Sequence, residues 1–200
     1  CVIKEKFVEE EEDVVSKQIK DIFLSNPRSS QIKSKKFLRI NYEGKSVFVK
    51  RIHITKNSNR ALIIDEAVLL HKFKDINGIV NLEKCIFTPN YFILIMEAML
   101  GDLRQTETIF SLKSWSQKLK MFLGVTITLM RVHKKGYIHS DIKPQNLLLN
   151  DKTDSIKVID LGFAVKKGNN IRGFTFFYAS PQITSARDTH LADEKDDVWS

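Results

Sequence analysis

The 200-residue sequence predicts an α+β fold, strand-rich in its first half and helical in its second, and three observations carry that expectation. The run Asn41-Tyr42-Glu43-Gly44 reads as a hairpin turn opening the alternating stretch 45–52. Apolar residues between 115 and 135 recur at helical spacing. The run His139-Ser140-Asp141-Ile142-Lys143-Pro144-Gln145-Asn146-Leu147-Leu148-Leu149 sets a carboxylate, a cation and an amide at fixed offsets beside an apolar strand. A content of 42% hydrophobic and 28% charged residues is a globular balance.

The elements follow in order. In the strand 45–52 alternation puts Lys50 on the face of Phe48 and Ile52, so its ammonium points into apolar surroundings and needs a partner. The apolar positions of 59–73 suit a mostly buried helix, capped by Ser58 or Asn59, and Glu66 on it is the obvious partner for Lys50. Residues 79–83 and 91–99 read as two further strands. In the helix 115–135 the core-facing set is expected to be Leu119, Phe122, Leu123, Ile127, Met130 and Val132. The stretch 156–162 is an apolar-rich strand ending in Asp160-Leu161-Gly162. An Asp before a Gly is ordinarily a turn residue; its place fourteen positions after Asn146 makes it a candidate second oxygen ligand for a hard cation such as magnesium.

The Asp-x-Lys-Pro-x-Asn pattern of Asp141 to Asn146 resembles the catalytic loop of eukaryotic protein kinases, in the form usual for the serine/threonine branch. Asp160-Leu161-Gly162 is similar to the family's Asp-Phe-Gly, Lys50 to its strand lysine, and Thr175-Phe176-Phe177-Tyr178-Ala179-Ser180-Pro181-Gln182 to its activation-segment anchor. The resemblance implies a two-lobed kinase-like fold with a small β-rich N-lobe (about 20–98) and a helical C-lobe (99–200). That C-lobe is truncated near the start of the anchoring helix at Asp196-Asp197-Val198-Trp199-Ser200, and 1–19 forms an extension or the first elements of the N-lobe. It implies an ATP- and magnesium-dependent protein serine/threonine kinase. Asp141 would be the base, Lys143 and Lys50 would sit on phosphates, Glu66 would position Lys50, and Asn146 and Asp160 would hold the metal. Glu97, Met99 and Leu148 would lie on the nucleotide with Met96 as gatekeeper, Asp197 would clamp the catalytic-loop backbone, and Leu70, Leu82, Leu161 and His139 would stack as the regulatory column.

Four departures qualify that picture. No glycine precedes Gly44, so the turn Leu24-Ser25-Asn26-Pro27-Arg28-Ser29-Ser30-Gln31 replaces the family's glycine-rich phosphate loop. Phe48 stands where a small residue roofs the adenine. Both act against tight ATP binding, and the alternative function is a pseudokinase that serves as a binding or scaffold module. Ser140 replaces the Arg that pairs with a phosphorylated activation segment, which implies activity independent of that phosphorylation. Gln182 replaces the Glu that ends the anchor motif.

A start at Cys1 and an end at Ser200, short of the family's later helices, read as a fragment with uncovered apolar faces and poor solubility. A formal charge of +8 points to acidic protein partners or substrates. Basic residues gather at Lys33, Lys35, Lys36 and Arg39 and again between Lys113 and Arg172, with no aromatic platform interleaved, which ranks nucleic acid below protein as a partner. Glu9 to Glu12 and Asp13 form the one acidic run. Two cysteines make neither a disulfide framework nor a zinc site; of the five histidines His139 reads as structural in its loop, and His53, His71, His133 and His190 lack metal-ligand spacing. With no visible signal or membrane-spanning segment, an intracellular location, cytoplasmic or nuclear, is expected.

Overall fold

The computed structural model describes residues 7–8, 37–42, 44–54, 60–87, 91–150, 152–186 and 189–200. The glycine-free turn at 24–31, the caps Ser58 and Asn59, the acidic run 9–13, the basic residues Lys33, Lys35 and Lys36 and the boundary near residue 20 lie outside the described residues. The elements are β1 (Phe7–Val8), β2 (Phe37–Tyr42), β3 (Lys45–His53), α1 (Arg60–Lys72), β4 (Leu82–Phe87), β5 (Tyr91–Glu97) and β6 (Gly101–Asp102). After these come α2 (Glu107–Ser111), α3 (Trp115–Lys134), β7 (Tyr137–Ile138), β8 (Leu147–Asn150), β9 (Ser155–Val158), β10 (Val165–Lys166), α4 (Pro181–Ser185) and α5 (Glu194–Trp199). They divide into two compact units, one ending at His71 and resuming over Asn81–Ala98, the other made of Lys72–Val80 and Met99–Ser200.

The first unit is a five-stranded sheet in the order β1-β4-β5-β3-β2, antiparallel except for the β1–β4 pair. Tyr42 pairs with Lys45, so a two-residue connection closes the β2–β3 hairpin, and Gly44 takes φ +75° there. Both faces of the central strands are buried. Val47 and Val49 join Tyr42, Ile86, Ile93 and Ile95 in one cluster. On the opposite face Phe48, Lys50 and Ile52 stand across from Met96, Leu94 and Phe92.

Strand β4 begins later than expected. Ile79 bridges Val158, and the Val80 amide donates to the Val158 carbonyl, so both belong to the second unit. Sheet pairing in the first unit starts only at Leu82, just after Asn81 exchanges bonds with Glu97. The apolar pair 79–80 satisfies its backbone on β9 instead.

The second unit holds the ladders β6-β8-β9 and β7-β10 and the long helix α3. Ser114 caps α3 in a capping box with Gln117, and Gly136 at φ +77° turns the chain out of its end. The face of α3 corrects an expectation. Its buried residues are Met121, Val125, Thr128 and Val132, whereas Leu119, Phe122, Leu123, Ile127 and Met130 are exposed. On the buried face Thr128 lies close against Gly78, where a Cβ would come within 1.6 Å of its Oγ1.

Candidate active site

In the first unit Lys50 on β3 meets Glu66 on α1, its Nζ 2.5 Å from Oε1 and 2.6 Å from Oε2, with the two residues 1% and 3% exposed. The strand pattern puts Lys50 on a face filled by Phe48, Leu94 and Met96, so the ammonium is desolvated and held by both carboxylate oxygens. At the end of β5 the Glu97 amide donates to the Asn81 carbonyl at 3.0 Å, and the Glu97 carboxylate accepts from the Asn81 amide at 2.6 Å.

In the second unit the loop after β7 gathers the remaining candidates. The Thr175 hydroxyl donates to Asp141 Oδ1 at 2.6 Å. Lys143 Nζ donates to Asp141 Oδ2 at 2.5 Å and to Thr175 Oγ1 at 2.7 Å. Asn146 Nδ2 donates to the Asp141 carbonyl at 2.8 Å and to Oδ2 at 3.0 Å. Both Asn146 partners are acceptors, which fixes the amide's orientation and leaves Oδ1 as the atom that would face a cation.

The frame under this cluster is equally well bonded. His139 is fully buried; its Nε2 donates to the Ile159 carbonyl at 3.0 Å, and its Nδ1 accepts from the Asp141 amide at 3.3 Å, a neutral Nε2–H tautomer. Asp197 on α5 accepts from the amides of His139 and Ser140, each at 2.8 Å, and His133 Nε2 lies 2.8 Å from its Oδ2. The Ile159 amide donates to the Asn146 carbonyl at 3.0 Å, which brings Asn146 alongside the residue before Asp160. Asp160 adopts the left-handed region at φ 63° and ψ 67°, a conformation Asp tolerates better than most residues. Ser140 also has positive φ, at 67°, and its buried Oγ has no hydrogen-bond partner among the described residues. Such an orphan costs about 1–3 kcal/mol. Met99 and Leu148 are buried, Leu148 on β8 opposite Asp102 and Lys157.

The cluster thus unites Asp141, Lys143 and Asn146 and adds Thr175, while Lys50 and Glu66 form a pair in the other unit. The sequence sets His133 and His190 aside as metal ligands and gives them no other role. Each serves a buried carboxylate, Asp197 and Asp196 respectively. Metal-ligand spacing was the wrong signal to ask of them. No group of three or more His, Cys, Asp or Glu among the described residues forms a metal cluster. An Asn amide and one carboxylate nonetheless fit magnesium, which takes one or two protein ligands and completes its shell with phosphates and water.

Comparison with known proteins agrees with this arrangement. Residues 34–200 match the protein kinase domain family. The chain is 31% identical over 125 residues, 60% of its length, to serine/threonine-protein kinase 1 of African swine fever virus, covering 42% of that protein. It is 28% identical over 160 residues, 78% of its length, to the serine/threonine-protein kinase STE20 of Candida glabrata, and 28% identical over 172 residues, 76% of its length, to the serine/threonine-protein kinase unc-51 of Caenorhabditis elegans. These matches cover 17% and 19% of those two proteins, so the chain spans less than half of each relative named. With a family match over five-sixths of its length, a sheet-built first unit and a helix-bearing second, the chain belongs to the protein kinase family.

Proposed function

We propose that this chain transfers the γ-phosphoryl group of ATP to serine or threonine hydroxyls of a protein substrate. The observation that carries the reading is the Asp141 carboxylate bracketed by Thr175, Lys143 and Asn146. A carboxylate offers about four lone-pair positions, so an incoming hydroxyl still finds an acceptor there. As the substrate oxygen forms its bond to the γ-phosphorus, Asp141 takes the hydroxyl proton, the bond from that phosphorus to the bridging oxygen breaks, and ADP leaves. Lys143 is assigned to offsetting charge on the transferred group, and Lys50, held by Glu66, to the phosphates of ATP. Asn146 Oδ1 and Asp160 would hold magnesium, which when bound neutralises phosphate charge. Glu97, Met99 and Leu148 are assigned to the adenine side.

The test is a thermal-shift titration of the full-length protein with magnesium and ATP, followed by labelled-phosphate transfer to a mixed Ser/Thr acceptor. Nucleotide at about 100 times its Kd stabilises the native state by about 2.7 kcal/mol. Asp141→Asn should keep that shift and lose transfer; transfer that survives the substitution overturns the assignment of the base.

One observation favours the scaffold reading. Phe48 is buried, 4% exposed, on the same sheet face as Lys50 and directly across from Met96. A ring there competes with an adenine for space. Phe48→Ala should tighten nucleotide binding about tenfold or more if the ring is the obstacle; unchanged affinity removes the ring from the explanation.

A further inference from the structure

Two consecutive aspartates, Asp196 and Asp197, lie in the first turn of α5, and they face different parts of the second unit. Successive helical residues project about 100° apart, so one turn can reach two neighbours. Asp197 holds the amides of His139 and Ser140, before the catalytic Asp141. Asp196 turns the other way and is as buried, 4% exposed. Its Oδ1 accepts from the Ser180 hydroxyl at 2.9 Å, its Oδ2 accepts from the Asp193 amide at 2.9 Å, and His190 Nε2 lies 3.0 and 2.9 Å from the two oxygens. Because Nε2 meets only acceptors, it carries the proton.

Of the three partners of the Asp196 carboxylate, Ser180 belongs to the segment that carries Thr175 and His190 leads into the stretch that grips it. Ser180 closes it, capping α4 as it does so, and the 3-10 turn Phe176–Tyr178 links it back to Thr175. His190 precedes the short stretch that pairs with the segment's other end: Leu191 bridges Asn170, the Gly168 amide donates to the Ala192 carbonyl, and the Ala192 amide donates to the Asn169 carbonyl. Ser200 Oγ adds a bond to the Tyr178 carbonyl at 2.8 Å. The segment is therefore moored at 178–180 to one short helix and its C-cap and at 168–170 to the stretch just before that helix, and Thr175 between the moorings reaches Asp141 at 2.6 Å.

We propose that Asp196, with His190 as its donor, is a positioning residue that sets the Thr175 hydroxyl against the catalytic carboxylate, acting through Ser180 and the 190–192 stretch. The inference rests on the kinase reading for its activity readout and on the fold alone for its exchange readout. Asp197 fixes one half of the Asp141–Thr175 contact and Asp196 the other.

The experiment measures kinetics with labelled magnesium-ATP and casein, and amide hydrogen exchange, on the full-length protein. Asp196→Ala and His190→Ala should each lower kcat roughly 10- to 100-fold with little change in KM for ATP, the size expected when a reacting group is misplaced by about 1 Å. His190→Gln keeps an N–H donor and should recover most of the loss. Exchange at Gly168, Ala192, Tyr178 and Ala179 should rise in the two alanine variants and stay near wild type in His190→Gln. Should wild-type protein neither bind nor transfer phosphate, the kinase reading fails and the exchange pattern alone decides the positioning role. Unchanged kcat and protection in Asp196→Ala overturn the proposal. So does a uniform loss of protection across the second unit with His190→Gln as defective as His190→Ala, the mark of a merely structural pair.

Discussion

A lysine that is 1% exposed is met by a carboxylate with both oxygens, and the Lys50–Glu66 pair shows what such burial depends on. Glu66→Ala removes the carboxylate that meets the buried ammonium with both oxygens, a loss of up to about 3–5 kcal/mol that a urea midpoint would register. The double replacement Lys50→Met with Glu66→Leu should recover most of that stability, since well-packed apolar groups substitute for a buried pair, yet it should not recover phosphoryl transfer. Equal denaturation midpoints for Glu66→Ala and the double variant would refute the account. Lys50, Glu66 and the Asp141–Asn146 loop were legible in the sequence because each sits at a fixed offset in a run whose alternation or motif stands out. His133 and His190 were not, since a hydrogen bond to an aspartate 64 or 6 residues away leaves no local pattern. The left-handed backbone of Ser140 and Asp160 was equally hidden, as neither residue is a glycine.

Elements repeat the same division between pattern and fit. The length of α3 followed from its periodicity, but the packing of Thr128 against Gly78, fifty positions away by numbering, is something no hydrophobicity pattern reports. Strand β4 shifted for a related reason, because Ile79 and Val80 found backbone partners on β9. The β8–β9 hairpin is joined to α3 and the turn before it by Asp154, which accepts from Lys113 and, at 3.0 Å, from Gln117 Nε2. The Lys113 hydrogen bond holds the Asp154 carboxyl below its ordinary value of 3.8. A carboxyl lowered on folding adds stability above its unfolded value and loses it as pH falls through the folded one. The melting temperature of wild type should therefore exceed that of Asp154→Asn by a small, constant margin from pH 7 to about 5, closing below about 4, with the margin kept modest by the half-open site. A gap that persists in acid would show that charge is not its source.

At the scale of the molecule, three stretches far apart in sequence meet at one point. The Gly78 carbonyl accepts from the Val158 amide at 2.8 Å while the Thr128 side chain presses on the other side of the same glycine, and Thr128 Oγ1 is itself turned back to the Gly124 carbonyl. From Val158 the chain runs two residues to Asp160, so the junction stands directly behind a candidate metal ligand. This gives positions 78 and 128 a shared evolutionary fate. A methyl at 78 has no room while threonine occupies 128, so Gly78→Ala should cost about 2–4 kcal/mol through overpacking and lower soluble yield at higher growth temperature. Thr128→Gly in the same chain vacates that space, and the double variant should be more stable than Gly78→Ala alone, a favourable coupling readable in a double-mutant cycle. Across descendants of this sequence, the two sites are expected to exchange volume as a pair, with neither free to drift by itself.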